Sequence, residues 1–430
     1  MIHKVHKVSL ANGAKGLFID IPDASVMSFE VNFRAGEYLV DKKKIETPHL
    51  MEHMLLGANQ KYRKTKTFQA VFGKNGAYCN ASTSVFDVSY QAECADFEWD
   101  RITELLFFAI NKPLFTRDEF NSELGNVREE IKLRSNNHFR RLSIAMTKEF
   151  GLLGTTDEER LELMDNVRLK DVRNHYKKTH FSSNMRFVIG GQLPIERRLF
   201  ITEILENMSL MEGNGIIPLP KEKPKRIEKP VNINNETVKN LYFKLDMYLK
   251  RHVSLSELYA LKIFNIILFD TYHSKVLGEA RERGILYDLN SEFEKFDGNT
   301  SWYLIAQIST DNIMEFLDIL VKEISKVIDG KITDKDMKSA KQYALGSFEL
   351  GGQTVQSIIY DYSPTFFLEE KVDSFNTQFK RKIEAVTKDE VINITKKLFS
   401  QNIWGVGCLG NTDDDLISRM HNKLSILWTK

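Results

Sequence analysis

The sequence predicts an α+β fold with two homologous domains, each a mainly antiparallel sheet that helices cover on one face. Three observations predict this class: strands of alternating polarity, long helices that follow them, and a helix–strand segment that occurs twice. The chain has 430 residues, of which 42% are hydrophobic, and this is enough apolar material for two cores of ordinary size.

Two segments of the first half have the alternation that half-buried strands require. Val26–Phe33 reads VMSFEVNF and residues 86–93 read FDVSYQAE, so that one face of each strand is apolar. Helices of more than ten residues, such as Trp99–Asn111, lie between and after such strands. Because runs of strands and long helices segregate, an antiparallel sheet with helices on one face is favoured.

The two halves of the chain resemble each other at an offset of 219 residues (386 − 167). Residues 167–191 and 386–410 each read as a helix, a short polar turn and a strand that ends in glycine. Residues 88–123 and 301–340 share the order strand, long helix, acidic loop, helix. We interpret this order as the duplication of a whole α+β domain, with chance similarity of helix–strand units as the alternative.

One stretch differs in composition from its surroundings. Residues 213–230 read GNGIIPLPKEKPKRIEKP and contain four of the nine prolines in the chain. A proline-rich, charged segment without apolar periodicity is typical of an extended connector. We therefore predict an N-terminal domain at residues 1–212, a linker at 213–230 and a C-terminal domain at 231–430.

Composition excludes several classes of partner. Sixty basic and 59 acidic residues give a formal net charge of +1, which predicts neither nucleic-acid nor membrane binding. Three cysteines without a CxxC pair form no disulfide framework or thiolate metal site. The N-terminus lacks a secretory signal, and the longest apolar stretch, residues 261–269, is short and interrupted. We expect a soluble, cytoplasmic protein.

The segment HLMEH at residues 49–53 contains the candidate metal-binding and catalytic residues. Thr47 is predicted to cap a helix and Pro48 to occupy its first position. On that helix His49 and His53 lie one turn apart, so that both imidazoles can reach one zinc ion. Glu52 lies beside them and is placed to take a proton from the attacking water. A surface helix that carries two histidines without function is the alternative.

A third zinc ligand must come from another segment, because catalytic zinc sites use three protein ligands. Residues 115–134 read as a long helix on which Glu123 and Glu130 share a face, while Glu129 points elsewhere. Their spacing alone also fits an ordinary solvated acidic face.

These residues together resemble the pitrilysin or insulinase family of inverted-motif zinc peptidases, which includes the mitochondrial processing peptidase. His49, Glu52 and His53 match its HxxEH motif, and Glu130 follows after 76 residues (130 − 53 − 1). The resemblance implies Zn²⁺ as cofactor, Glu130 as third ligand, with one residue of slip to Glu129 left open, and Glu123 in support of the site.

Other stretches extend the resemblance over nearly the whole chain. Residues 80–83, NAST, are similar to a family strand whose backbone pairs with substrate, which implies that Asn80 and Ala81 bind substrate. Residues 277–287, LGEARERGILY, resemble a segment whose arginine and tyrosine contact substrate, here Arg281 and Tyr287. A longer family variant would place the arginine at Ala280.

The resemblance implies a zinc metallopeptidase that hydrolyses peptides or unfolded segments, with Glu52 as general base. Family members of this size pair, so we expect a homodimer or a heterodimer with a related chain. By that analogy, each site combines the zinc motif of one chain with Arg281 and Tyr287 of its partner. A non-catalytic partner subunit of the same family is the alternative, and a binding module with an accidental motif is a third possibility.

Overall fold

The structure is a computed structural model that describes residues 1–249, 253–296, 299–372, 375–400 and 402–428. The chain divides into two compact units. The first comprises Met1–Arg134, Asp157–Pro220 and Leu350–Asp373, and the second comprises Ser135–Thr156, Lys221–Glu349 and Ser374–Lys430.

The first unit contains a six-stranded sheet of order β1-β2-β6-β3-β5-β4. Only β2 and β6 run parallel among its described strands, and the other neighbouring pairs are antiparallel. Numbered in chain order, the strands are β1 (Lys4–Ser9), β2 (Lys15–Asp20), β3 (Val26–Phe33), β4 (Tyr78–Thr83), β5 (Val88–Ala95) and β6 (Met185–Gly191).

Helices cover one face of this sheet and form the larger core of the unit. Phe29 and Phe33 of β3 pack in one buried cluster with Leu50, Met51 and Leu106 of these helices. The helices are α1 (Thr47–Leu55), α2 (Thr65–Phe72), α3 (Trp99–Asn111), α4 (Arg117–Arg134), α6 (Asp157–Leu163), α7 (Leu169–Thr179) and α8 (Ile195–Glu206), and α5 (His138–Glu149) belongs to the second unit.

The second unit contains a five-stranded sheet of order β7-β11-β8-β10-β9 around a second core. Its strands are β7 (Val231–Asn234), β8 (Asn240–Leu249), β9 (Leu286–Phe296), β10 (Asn299–Ser309) and β11 (Ile403–Gly410). Besides α5, its helices are α9 (Leu255–Leu268), α10 (Leu277–Glu282), α11 (Ile313–Ile328), α12 (Asp334–Gly351), α14 (Phe375–Ala385), α15 (Lys388–Leu398) and α16 (Asp414–Ser425). Helix α13 (Val355–Glu369) belongs to the first unit.

The two sheets have the same topology. The order β2-β6-β3-β5-β4 corresponds strand for strand to β7-β11-β8-β10-β9, and in both the first pair is parallel. Gly191 and Gly410 end equivalent strands with φ of +143° and +148°, a region that favours glycine. The predicted α+β class with two similar domains is confirmed, and the repeated topology supports the duplication.

One helix also covers the outer face of each sheet, which the sequence prediction did not include. Helix α13 packs on β3 and β6, and α5 packs on β8 and β11. The sequence of β2 contains a signal of this outer layer: Leu17, Phe18 and Ile19 are consecutive apolar residues, and a strand covered on both faces lacks polar–apolar alternation. In the structure all three are buried.

Each unit therefore takes residues from both halves of the chain. The contact-defined units separate between Pro220 and Lys221, within residues 213–230, and exchange the segments that contain α5 and α13. The domain limits 1–212 and 231–430 stay a prediction.

Two further sequence expectations concern the whole chain. In the part that the structure describes, no helix combines the length and the apolar character needed to cross a bilayer. Cys79, Cys94 and Cys408 are all free thiols, and the sequence predicted no disulfide framework.

The close approach of α13 to β6 gives a test of the outer layer. A Cβ at Gly190 would lie 2.6 Å from Ile359 Cγ2 and 3.1 Å from Val355 Cγ1, so Gly190→Val must displace the helix. We expect a loss of about 1–3 kcal/mol in the free energy of unfolding, measured by urea denaturation.

Gly346→Ala on α12 is the control. Among the described residues, no neighbouring atom outside its own helical backbone lies within 4 Å of a Cβ at this position. Alanine in a helix interior is favoured by about 0.5–1 kcal/mol, so this variant should not lose stability. Wild-type stability of Gly190→Val would contradict the packing described for α13.

Candidate metal centre

Helix α1 presents the HLMEH segment from within the core of the first unit. Leu50, Met51, Met54 and Leu55 are buried and fix the helix against the sheet layer. The helix begins at Thr47, so that Glu46 is the N-cap residue and the prediction of Thr47 as cap was wrong. Pro48 still lies in the first turn, where it needs no hydrogen-bond partner for its nitrogen.

The imidazoles of α1 face a carboxylate of α4. Glu130 Oε2 lies 3.4 Å from His49 Nε2 and 3.2 Å from His53 Nε2. Glu129 instead forms an ion pair with Lys132 at 2.7 Å, with most of its side chain exposed. The structure thus brings His49, His53 and Glu130 together and directs Glu129 away.

A second carboxylate contacts the far nitrogen of each imidazole. Glu46 Oε2 lies 2.9 Å from His49 Nδ1, and Glu123 Oε2 lies 3.1 Å from His53 Nδ1. In the neutral imidazole, a carboxylate at Nδ1 favours the tautomer with its proton on that nitrogen, which leaves the Nε2 lone pair for a metal ion. Glu123, predicted to support the site, is therefore in place, whereas Glu46 was not predicted.

The acidic surroundings shift the pKa values of both imidazoles. Burial acts to lower the pKa of His53, but hydrogen bonds to Glu123 and Glu130 outweigh it and raise this pKa to about 10. Burial likewise opposes protonation of His49, yet hydrogen bonds to Glu130 and Glu46 raise its pKa. The same hydrogen bonds, first from His49 and then from His53, lower the pKa of Glu130. The pocket thus has a strong affinity for positive charge.

The donor set fits a zinc ion. Two imidazole nitrogens and one carboxylate oxygen are the ligands of many catalytic zinc sites, with bonds of about 2.0–2.2 Å. Two ligands at such distances from a tetrahedral ion lie roughly 3.3–3.5 Å apart. The separations of 3.4 Å and 3.2 Å from Glu130 to His49 and His53 match this spacing.

Glu52 lies next to the ligands. It is 8% exposed, and the ligand atoms of His49, Glu52 and His53 all lie within 4.8 Å of one another. Burial raises the pKa of Glu52, partly offset by the charges of His53 and His49. Its Oε2 accepts a hydrogen bond from Thr83 Oγ1 at 3.2 Å. The carboxylate is thus held in place and is more basic than an exposed glutamate.

A cavity of about 540 Å³ opens beside these groups. Asn80, Ala81 and Thr83 of β4 line it together with Glu52 and Glu130. β4 is the last strand in the described sheet, and its one described neighbour is β5. The predicted substrate-binding residues Asn80 and Ala81 therefore lie on an edge strand next to the predicted ligands.

Arg281 and Tyr287 lie in the second unit, on α10 and β9. Arg281 Nη1 donates a hydrogen bond to the carbonyl of Tyr287. Its guanidinium carbon lies 4.5 Å from the Tyr287 ring centroid and 4.4 Å from that of Tyr272. Tyr287 is 79% exposed, so both predicted substrate contacts are on the surface of their own unit.

Sequence patterns did not identify the residues that contact Glu46, the partner of the predicted ligand His49. Arg160 on α6 donates to Glu46 Oε1 at 2.5 Å and to Glu37 Oε1 at 2.6 Å. Burial opposes the charge of Glu46, but the bond from His49 and the charge of Arg160 lower its pKa to about 2. Arg160 lies more than one hundred positions from Glu46, and no local pattern connects them.

Models of one peptidase family match most of the chain. Residues 21–155 match the model of insulinase, peptidase family M16. Residues 166–344 match the model of the peptidase M16 inactive domain.

Two relatives match in sequence. The insulin-degrading enzyme-like 1 protein, peroxisomal, of Arabidopsis thaliana is 24% identical over 227 residues, 49% of this chain and 23% of that protein. The chain thus spans about a quarter of that relative's length. The non-peptidase homolog YmxG of Helicobacter pylori is 21% identical over 377 residues, 85% of this chain and 84% of that protein.

Solved structures share the fold over nearly the whole chain. A protease from Helicobacter pylori matches with a TM-score of 0.82 and 15% identity, covering 95% of this chain and 100% of that one. The peptidase M16 inactive domain from Pseudomonas fluorescens matches with a TM-score of 0.79 and 17% identity, covering 95% and 98%. Taken with the two family models, these matches show that the chain belongs to the insulinase family of peptidases, family M16.

Proposed function

We propose that this protein is a zinc-dependent peptidase in which His49, His53 and Glu130 bind the metal. One observation carries the proposal: both Nε2 atoms face the same oxygen of Glu130, at 3.4 Å and 3.2 Å. A merely solvated acidic helix face would not be expected to place one carboxylate oxygen beside a buried imidazole, His49, and a partly buried one, His53, because burial of these groups costs solvation free energy.

The reaction proposed is hydrolysis of a peptide bond. Lewis-acid activation of the scissile carbonyl and of water is the chemistry that zinc supplies when bound. Glu52 accepts the proton of the attacking water and later transfers it to the leaving amine. Positioned proton transfer of this kind contributes roughly 10²–10⁴ in rate. Burial of Glu52 suits this role because it raises the pKa of the carboxylate.

The substrate class follows from the edge strand. An extended peptide can pair with β4 beside Asn80 and Ala81, so that main-chain hydrogen bonds supply affinity with little demand on sequence. This favours peptides and unfolded segments over folded proteins. Arg281 and Tyr287 would then bind the substrate backbone or the developing oxyanion.

A non-catalytic member of the same family is the second candidate. Similarity to a non-peptidase homolog over 85% of the chain favours it. Against it stand His49, Glu52, His53 and Glu130, since a protein without catalysis needs no buried base beside a potential metal site. Metal content and turnover distinguish the two.

Glu52→Gln and His53→Ala form a matched pair. A glutamine amide cannot accept the proton of the attacking water, so Glu52→Gln should lose at least about a hundredfold in the cleavage of a quenched peptide while it retains about one zinc per chain. His53→Ala removes a ligand and should lose both zinc and activity.

Zinc content is measured by elemental analysis of the dialysed proteins. Equal zinc in the wild type and in His53→Ala would contradict the ligand assignment. Near wild-type cleavage by Glu52→Gln would contradict its role as base, whatever the zinc content.

We further propose that the protein works as a dimer whose sites combine residues of two chains. The support is the family analogy, together with the location of the zinc motif and of Arg281 and Tyr287 in different units of the chain. A two-fold homodimer would contain two such sites, and a heterodimer with a related chain is the other form of the proposal.

Subunit mixing tests this arrangement. Glu52→Gln and Arg281→Ala should each be weakly active alone, but a mixed dimer would have one site with both defects and one with neither. Mixing the two variants should therefore restore activity, to about a quarter of the wild-type level if exchange is complete and random, as the symmetry dictates. No recovery, with exchange verified by native mass spectrometry, would contradict the shared site.

A further inference from the structure

Two residues of the short helix α6 connect to two of the three proposed zinc ligands. Asp157 and Arg160 are three positions apart on this helix and therefore lie on one face of it. Both are buried, with exposures of 2% and 6%. α6 packs against α4, the helix that carries Glu130.

The first connection runs from Arg160 through Glu46 to His49. The two oxygens of Glu46 have different partners: Oε1 accepts from Arg160 at 2.5 Å, and Oε2 lies 2.9 Å from His49 Nδ1. Glu46 has no exposed surface, and Arg160 is itself held by Glu37 at 2.6 Å. Because charge-assisted hydrogen bonds in a buried site are strong, the carboxylate cannot rotate away from the imidazole.

The second connection runs from Asp157 through Arg134 to Glu130. Asp157 Oδ1 accepts from Arg134 Nε at 3.0 Å. Arg134 Nη1 reaches Glu130 Oε1 at 3.5 Å, the oxygen that does not face the imidazoles. The positive charge of Arg134 attracts Oε1 and thereby favours the orientation in which Oε2 faces the imidazoles.

We propose that α6 is a positioning element of the metal centre, which holds His49 through Glu46 and Glu130 through Arg134. The inference rests on the proposed zinc site and adds a determinant of its affinity. A ligand that is already oriented loses little conformational freedom on metal binding, and a carboxylate on Nδ1 makes the imidazole a better donor. Loss of such a partner typically weakens metal binding by about 10–100-fold.

Glu46→Gln is the sharpest variant because it preserves size and changes only hydrogen bonding. Arg160 requires an acceptor, so the amide oxygen faces Arg160 and the amide NH₂ faces His49 Nδ1. That nitrogen must then accept, which places the ring proton on Nε2, where the metal should bind. We expect zinc affinity to fall by about 10–100-fold, measured on the folded protein by competition with a chelator.

Two further variants change the buried residues of α6 itself. Asp157→Asn removes the charge that holds Arg134 and should weaken zinc binding through Glu130. Arg160→Lys keeps the charge but has no planar fork to hold Glu37 and Glu46 together, so its loss should be smaller than that of Glu46→Gln. These variants carry the test if Glu46→Gln does not fold.

Glu370→Gln is the matched control. It also removes a carboxylate from a buried arginine of the first unit, since Glu370 Oε1 lies 3.1 Å from Arg186 Nε and Arg186 is 2% exposed. Its partners do not include the proposed ligands among the described residues. We expect a lower melting temperature with wild-type zinc affinity.

The outcomes separate this inference from the proposed function. If the wild type binds zinc and Glu46→Gln, Asp157→Asn and Arg160→Lys all bind it equally well with lower melting temperatures, α6 has only a structural role and the inference is wrong. If the wild type binds no zinc, both proposals fail. Weaker zinc binding by Glu46→Gln and by the two α6 variants, but not by Glu370→Gln, supports the positioning role.

Discussion

An excess of negative charge in a half-buried pocket is the constraint that organises the first unit. Glu46, Glu52, Glu123 and Glu130 surround only two imidazoles, and three of these carboxylates are less than a tenth exposed. Buried carboxylates are stable only with bound protons, cations or several hydrogen bonds. The raised pKa values of both histidines are one consequence of this excess of charge, and the zinc ion that we propose at the Nε2 atoms would also compensate it.

The fold meets this constraint by placing each charge on a different rigid element. α1 supplies the imidazoles and Glu52, α4 supplies Glu123 and Glu130, and the edge strand β4 adds Thr83, whose hydroxyl donates to Glu52. Sites on packed helices are more precise than sites on loops, because the backbone cannot relax when the charges repel. Outside these elements, the two buried charges of α6 contact Arg134 of α4 and Glu46, the N-cap residue of α1.

Much of this arrangement could be predicted from the sequence, because it depends on local spacing. The four-residue separation of His49 and His53 and the seven-residue separation of Glu123 and Glu130 each define one helix face. The apolar alternation of β3 and the repeat around Gly191 and Gly410 predicted two similar α+β domains, and the structure has them.

The remainder depends on contacts between distant segments. Glu46 lies beside the motif, but no sequence pattern identifies it. Threonine is a better helix-capping residue than glutamate, so Thr47 is the expected cap, and Arg160, the partner of Glu46, is 114 positions away. Likewise, nothing in the sequences of α5 and α13 indicates which sheet each helix covers. The sequences of β2 and β6, which contain the apolar runs LFI and FVI instead of an alternation, are a signal of an outer layer, and the structure buries both strands on both faces.

The central claim is that a zinc ion binds where His49, His53 and Glu130 converge. Anomalous diffraction from a crystal of the Glu52→Gln protein, recorded on both sides of the zinc absorption edge, tests it most directly. The account predicts one zinc peak in the first unit, about 2.0–2.2 Å from His49 Nε2, His53 Nε2 and a Glu130 oxygen. A zinc-supplemented crystal with no peak there, or with Glu130 turned away from the metal, would contradict it.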